Sequence, residues 1–213
     1  MAKVVRIATE WGKGEMKQNT YLVEFENECV VIDAGCPLAE IKELTKKPVV
    51  AVFVTHCHYD HIRYIEEYDK AGIKIYGHEL TAKLLVDEQA NISEVLGCST
   101  KFKISNLSKI YERDQFMIDG HAIDCYQTPG HSLDGMCYII DGELFSGDTV
   151  FSVAVGRTDL YNGNAQQLLN SLERVLELPF DKMYAGHGRV SNKDEQDENI
   201  YKWIKYLSKN ASI

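Results

Sequence analysis

The stretch "HCHYDH" sets His56, His58, Asp60 and His61 within six residues. Imidazole nitrogen and carboxylate oxygen are the donors that zinc, iron and manganese take. In extended chain, His56 and His58 project to the same side. Asp60 and His61 open a helix-like run and point elsewhere, so one turn can serve two neighbouring cations. Three further donors each follow a β-rich run and a glycine: His131 after "IDCYQTPG", Asp148 after "ELFSG" and His187 after "KMYAG". Ligand sites in α/β sheets gather at the carboxyl ends of strands. Five of the seven histidines lie at such ends. Together with two aspartates they make seven donors, enough for two ions with one carboxylate shared, and no thiolate is needed.

The elements that must carry these residues follow from patterning. "NTYLVEF" and "ECVVIDAG" read as strands joined in a hairpin, and "CPLAEIKELTKK" as a helix opened by Pro37. "PVVAVFVT" is a continuous β-branched run, as in a strand covered on both faces. "HIRYIEEYDKAG" and "ELTAKLLVDEQA" read as helices on either side of the strand "IKIYGH". Residues 91–108 lack a period and read as loop with at most one helical turn, a plain surface loop ahead of the alternative, a lid over the metals. Strands resume in "SKIYERD", "QFMIDG", "HAIDCYQT", "GMCYIID" and "GELFSGD", two of their links being the hairpin dipeptides Asp119-Gly120 and Asp141-Gly142. "NAQQLLNSLERVLEL" is a helix capped by Asn164, with Gln167 at the capping-box position and Pro179 beyond its end. "DKMYAG" is a strand. "SNKDEQDENIYKWIKYLSK" is an amphipathic helix with Ile200, Trp203, Ile204 and Leu207 on one face. The class is α/β (α+β), with sheet covered by helices, and the absence of linkers and repeats points to one domain over residues 1–213.

The 213 residues carry a net charge of -9. That argues against a nucleic-acid partner, which wants clustered Lys and Arg. The longest apolar run, Val49 to Val54, is far short of a membrane span, and the N-terminus lacks the apolar region of an export signal. The expectation is a cytoplasmic protein with a small-molecule substrate and six reduced thiols. Cys57, between two ligands, is expected to face the core. The lone histidines His78 and His121 are expected to serve as hydrogen-bonding groups outside the metal set.

The ordered set "HCHYDH", "TPGHS", "SGDTVF" and "AGHG" resembles the metallo-β-lactamase superfamily, whose signature is His-x-His-x-Asp-His, over nearly the whole chain. The resemblance implies a four-layer αββα sandwich with metals at one edge, between the two sheets. It implies His56, His58 and His131 around a first metal, and Asp60, His61 and His187 around a second. Asp148 would bridge them, and Asp33 in "VVIDAG" would support the ligands from behind. The ions expected are two divalent cations, zinc foremost with iron or manganese as alternatives. They acidify a bridging water that attacks a carbonyl or phosphoryl centre, with Asp60 and Asp148 as the catalytic carboxylates that orient it.

"VGRTDL", residues 155–160, is similar to glyoxalase II-type thioesterases and to the related persulfide dioxygenases. Arg157 and Asp159 are expected to tie this loop beneath the site, and Tyr59 and Tyr161 are candidate substrate contacts. The chain ends at Ile213, leaving little room for the helical region that helps glyoxalase II bind glutathione. Asp134, in "SLDGM", stands where the family more usually has a small residue. The implied activity is hydrolysis of a small thioester or ester. The alternative is a mononuclear iron persulfide dioxygenase using His56, His131 and Asp148. A third, weaker reading is a non-catalytic metal-binding protein.

Overall fold

The computed structural model describes residues 1–10 and 17–210. The first half runs β1 (Lys3–Glu10), β2 (Lys17–Glu24), β3 (Cys29–Ile32), α1 (Leu38–Leu44), β4 (Val49–Phe53), α2 (Tyr59–Ile62), α3 (Ile65–Lys70), β5 (Lys74–His78), α4 (Thr81–Leu84) and β6 (Leu107–Ile110). The second runs β7 (Gln115–Ile118), β8 (His121–Gln127), β9 (Met136–Ile140), β10 (Glu143–Gly147), α5 (Ala165–Glu177), β11 (Lys182–Ala185), β12 (Ser191–Asn192) and α6 (Lys193–Asn210). Each half supplies one six-stranded mixed sheet, ordered β1-β2-β3-β4-β5-β6 and β12-β11-β10-β9-β8-β7.

Alternation of side chains along the strands builds four layers. In β2, β3 and β4 the residues Tyr21, Val23, Val30, Ile32, Ala51 and Phe53 face the second sheet. Their neighbours Leu22, Cys29, Val31 and Val52 face the first-half helices. β9 does the same from the other side: Met136, Tyr138 and Ile140 point to the middle, whereas Cys137 and Ile139 point to α5 and α6. Both faces of the central strands are therefore dry, as the unbroken apolar run through β4 predicts. The result is an αββα sandwich.

The Asp119-Gly120 and Asp141-Gly142 links are tight turns with φ of 49° and 82°, and 51° and 81°. They join strands with no residue to spare, Ile118 opposing His121 and Ile140 opposing Glu143. Asn164 Oδ1 caps α5 by accepting from Gln167 N at 2.9 Å. Ile200 is buried, and Trp203, Ile204 and Leu207 of α6 pack on the same cluster. All six cysteines are free. Among the described residues no helix is long and apolar enough to cross a membrane.

Two readings of the sequence are corrected. "HIRYIEEYDKAG" is two short helices, because Tyr64 N donates to Ala34 O at 2.9 Å and His61 O accepts from Ala34 N at 2.7 Å. Those bonds replace helical ones and tie His61 to the end of β3. "ELTAKLLVDEQA" is helical only over α4, since Asp87 Oδ1 accepts from Gln89 N and Ala90 N and starts a separate turn. The segment "KVVRIATE" forms β1, the half-exposed edge strand of the first sheet.

Candidate metal centre

Each site residue sits just past a strand of the sandwich. β4 runs through Val54 and Thr55 into His56; β10 runs into Asp148; β11 runs through Gly186 into His187. Thr55 O accepts from Met136 N at 2.8 Å, joining the ligand turn to the second sheet. Gly147, at φ 50°, lets the halves approach closely: a Cβ there would lie 2.6 Å from Thr55 Cβ.

The seven predicted donors come together. His56, His58 and His131 offer ligand atoms within 4.8 Å of one another, as do Asp60, His61 and His187. A third overlapping group, His56, His61 and Asp148, links the two. Asp148 spans the pair: Oδ1 lies 3.3 Å from His61 Nε2, and Oδ2 lies 3.5 Å from His131 Nε2 and 3.3 Å from His187 Nε2. Asp60 Oδ2 lies 3.2 Å from His187 Nε2. Only His187 among them is appreciably exposed, at 24%.

The hydrogen bonds behind the ligands fix which nitrogen faces the site. His131 Nδ1 donates to Arg157 O at 2.9 Å, and His187 Nδ1 donates to Lys17 O at 3.0 Å. His61 Nδ1 meets Asp33 Oδ2 at 2.6 Å. Thr55 Oγ1 donates to the same oxygen at 2.9 Å, so His56 Nδ1, 3.1 Å away, donates to Thr55 Oγ1. Asp33 thus supports both groups, one directly and one through a threonine. Burial pushes its carboxyl up, and these donors plus Thr55 N at 2.7 Å offset part of that rise.

What remains is a set of lone pairs facing one another. Nε2 of His56, His61 and His131 and Oδ1 of Asp148 are buried without a hydrogen-bond partner among the described residues. Such orphans are costly unless a cation takes them. The donor set fits two divalent ions of the zinc, iron or manganese kind. Burial and the neighbouring histidines hold His56 and His58 neutral, as ligands must be. His61 and His187 go the other way. Burial pulls both down, but Asp148 and Asp60 outweigh it, holding His61 well above the usual range and His187 up at about 10. In the metal-free protein, protons on these rings supply the positive charge that the carboxylates demand.

A pH dependence follows. The His187 value is raised in the fold, so its stabilisation is complete below the ordinary 6.5 and is lost as pH rises through about 10. Melting temperatures of metal-free protein should fall across that window. Titrating Zn2+ at pH 7 should release protons into the buffer, detected by calorimetry in buffers of different ionisation enthalpy. A metal-binding heat independent of buffer would contradict this.

Other expectations fare unevenly. Arg157 and Asp159 form a two-point ion pair with both distances 2.6 Å, but both are exposed. The contact with the site comes from the Arg157 carbonyl. Tyr59 is turned away onto Phe102, with ring centroids 5.8 Å apart, and Tyr161 is 65% exposed. Neither lines the cavity beside the ligands, so the geometry does not carry them as substrate contacts. That cavity, about 380 Å³, is walled by Ile92, Val95 and Leu96 of the 91–108 loop and by Phe151, Val155 and Leu160. Reading 91–108 as plain surface loop is therefore corrected in favour of its alternative, a place over the site; the absence of a period hid which of its residues face the ligands. Cys57 is buried and burial pushes its thiol well up, leaving it inert. His78 Nδ1 accepts from Leu80 N, and His121 pairs with Asp141, both outside the centre.

Asp134 has a clear place. It is fully buried, and its Oδ1 accepts from Ser132 Oγ at 2.6 Å and from Cys57 N at 3.3 Å. Its Oδ2 accepts from Thr81 Oγ1 at 2.8 Å. One carboxylate thus ties the turn bearing His56 and His58 to the turn bearing His131. Asp134→Ala strands these donors at a cost on the order of 1–3 kcal/mol each. After dialysis the variant should retain about one metal per chain, the His56, His58 and His131 group being the one loosened; unchanged metal content would contradict the assignment.

The sequence matches the metallo-beta-lactamase superfamily over residues 14–187. A probable metallo-hydrolase of Bacillus subtilis, YqgX, is 32% identical over 199 residues, covering 88% of this chain and 93% of that protein. A hydroxyacylglutathione hydrolase of Photobacterium profundum is 31% identical over 170 residues, 78% of this chain and 59% of that enzyme. Among solved structures, the BLEG-1 B3 metallo-beta-lactamase superposes with a TM-score of 0.81 at 26% identity, covering 93% of this chain and 99% of that one.

Proposed function

The chain belongs to the metallo-β-lactamase superfamily, and from that premise we propose that it is a dinuclear metal-dependent hydrolase of a small thioester or ester. The observation that carries the reading is the second donor group, Asp60, His61 and His187, joined to the first through Asp148. A mononuclear oxygenase using His56, His131 and Asp148 would leave Asp60, His61 and His187 without work.

When bound, the two cations supply an acidified water and positive charge for the oxyanion developing on the scissile carbonyl. His56, His58 and His131 would hold one ion, Asp60, His61 and His187 the other, and Asp148 would touch both. Asp60 and Asp148 orient the attacking water by accepting its hydrogen bonds. Asp33 and the Arg157 and Lys17 carbonyls fix the imidazole rings, so little reorganisation accompanies the reaction. No serine or cysteine nucleophile is needed. The sequence relatives named as hydrolases support this class, and the hydroxyacylglutathione hydrolase supports a thioester.

Elemental analysis of protein purified without added metal should find about two divalent ions per chain, zinc foremost. A panel of acyl-thioesters should be hydrolysed, with activity lost on chelation and restored by Zn2+. Fewer than one metal per chain with no hydrolysis of any thioester would sink the proposal. Oxygen uptake with iron and glutathione persulfide would favour the dioxygenase instead.

A further inference from the structure

The cavity at the metal centre has an unusual division of labour. Its polar side chains are five candidate ligands and Arg157, whose guanidinium is already closed on Asp159. Every other lining side chain among the described residues is apolar: Ile92, Val95, Leu96, Phe151, Val155 and Leu160. A bound molecule therefore meets charge at one end and hydrocarbon along the wall.

The wall is built at a conformational cost. Ile92 has φ 58°, a left-handed conformation that β-branched residues avoid. Its neighbours, both fully buried, hold it there. Asn91 Nδ2 donates to Leu85 O at 2.9 Å and to Thr100 O at 2.8 Å, and Asn91 Oδ1 accepts from Ser93 N at 2.9 Å. Ser93 Oγ accepts from Thr100 N at 2.9 Å. Asn91 O accepts from Tyr59 N at 2.9 Å, which fastens the loop to the first turn of α2, beside Asp60. Strain held in place by surrounding bonds and located at a site is a mark of a preorganised contact.

We propose that this wall is an acyl-binding pocket, with Ile92 a specificity-determining residue, and that the substrate carries an unbranched apolar acyl chain rather than a hydroxylated one. The volume lies toward the lower end of the ~300–1,000 Å³ usual for small-molecule sites, which suits a short to medium chain. The inference rests on the hydrolase reading for the group attached to the chain; the pocket itself does not depend on turnover.

The test measures binding of acetate, butanoate, hexanoate and octanoate to the metal-loaded protein by calorimetry, beside thioester hydrolysis. Affinity should rise about fourfold per added methylene until the pocket fills, and 6-hydroxyhexanoate should bind less well than hexanoate. Ile92→Asn keeps the left-handed backbone within reach, since Asn tolerates it, and should flatten the gradient without changing acetate binding. Val95→Asn probes the same wall at a residue 75% exposed, where folding is not at stake, and should flatten it in part. A flat gradient in the wild-type protein, or a wild-type gradient in both variants, overturns the proposal. A steep gradient abolished by Ile92→Asn in a protein that hydrolyses no thioester upholds the pocket and defeats the hydrolase reading.

Discussion

His61→Ala is expected to lower thioester hydrolysis by more than about 100-fold and to destabilise the protein at the same time. The activity loss follows from position. His61 belongs to two of the three donor groups, so no other imidazole replaces it. Loss of a residue that merely supports a ligand typically costs 10–100-fold, and loss of the ligand itself costs more. The stability loss has a separate source. Asp33 is buried, and its strongest partner is His61 Nδ1 at 2.6 Å. Removing one member of a buried pair costs about 3–5 kcal/mol, because the other charge is left behind. Thr55 still donates twice to Asp33, which places the expected cost near the lower end. The double variant His61→Ala, Asp33→Asn should regain part of the stability and none of the activity. Denaturant melts and metal counts on metal-free and loaded protein separate the two effects. Full turnover by His61→Ala would eliminate the dinuclear reading, and persulfide-dependent oxygen uptake surviving in it would support the mononuclear alternative.

This coupling of ligand to fold also marks the boundary of what the sequence discloses. The donors themselves are legible because a His or Asp directly after β-rich chain lies at a strand end, as His56, His131, Asp148 and His187 all do, the last three after a glycine. The layers are legible too: alternation in "TYLVE" and "CVVI" dictates which side chains meet the opposite sheet. Pairing of His56 with His61 through Asp148 is different, since it depends on how close β10 comes to Thr55, a tertiary distance. The Thr55 relay from His56 to Asp33 is likewise invisible along the chain. Tyr59 shows why adjacency misleads. It stands next to two ligands in sequence, yet α2 rotates about 100° per residue, and Asp60 enters the site while Tyr59 turns to Phe102. The apolar wall had no signal at all. Ile92, Val95 and Leu96 lie in a loop without a period, and what places them is Asn91 and Ser93, two polar residues whose partners lie across the loop.

Gly186→Ala is expected to empty the centre although it removes no ligand. A Cβ at this position would lie 2.2 Å from Asp148 Oδ1 and 2.5 Å from His61 Cε1. The backbone cannot retreat, because Gly186 N donates to Gly147 O and Gly186 O accepts from Asn19 N, both at 2.7 Å, bonds that join β11 to both halves of the sandwich. The methyl must therefore push Asp148 aside. Its two oxygens face His61 on one side and His131 and His187 on the other, so any shift opens both donor groups. Displacements of about 1 Å at a reacting centre cost about 100-fold, and overpacking a buried position costs about 1–3 kcal/mol. The expected result is a folded protein with fewer than two metals per chain and at least about 100-fold lower kcat. Gly72→Ala supplies the comparison: its Cβ meets open space and only the left-handed φ of 75° resists it, so stability alone should fall. Wild-type metal content and kcat in Gly186→Ala would mean that Asp148 does not hold the two groups together.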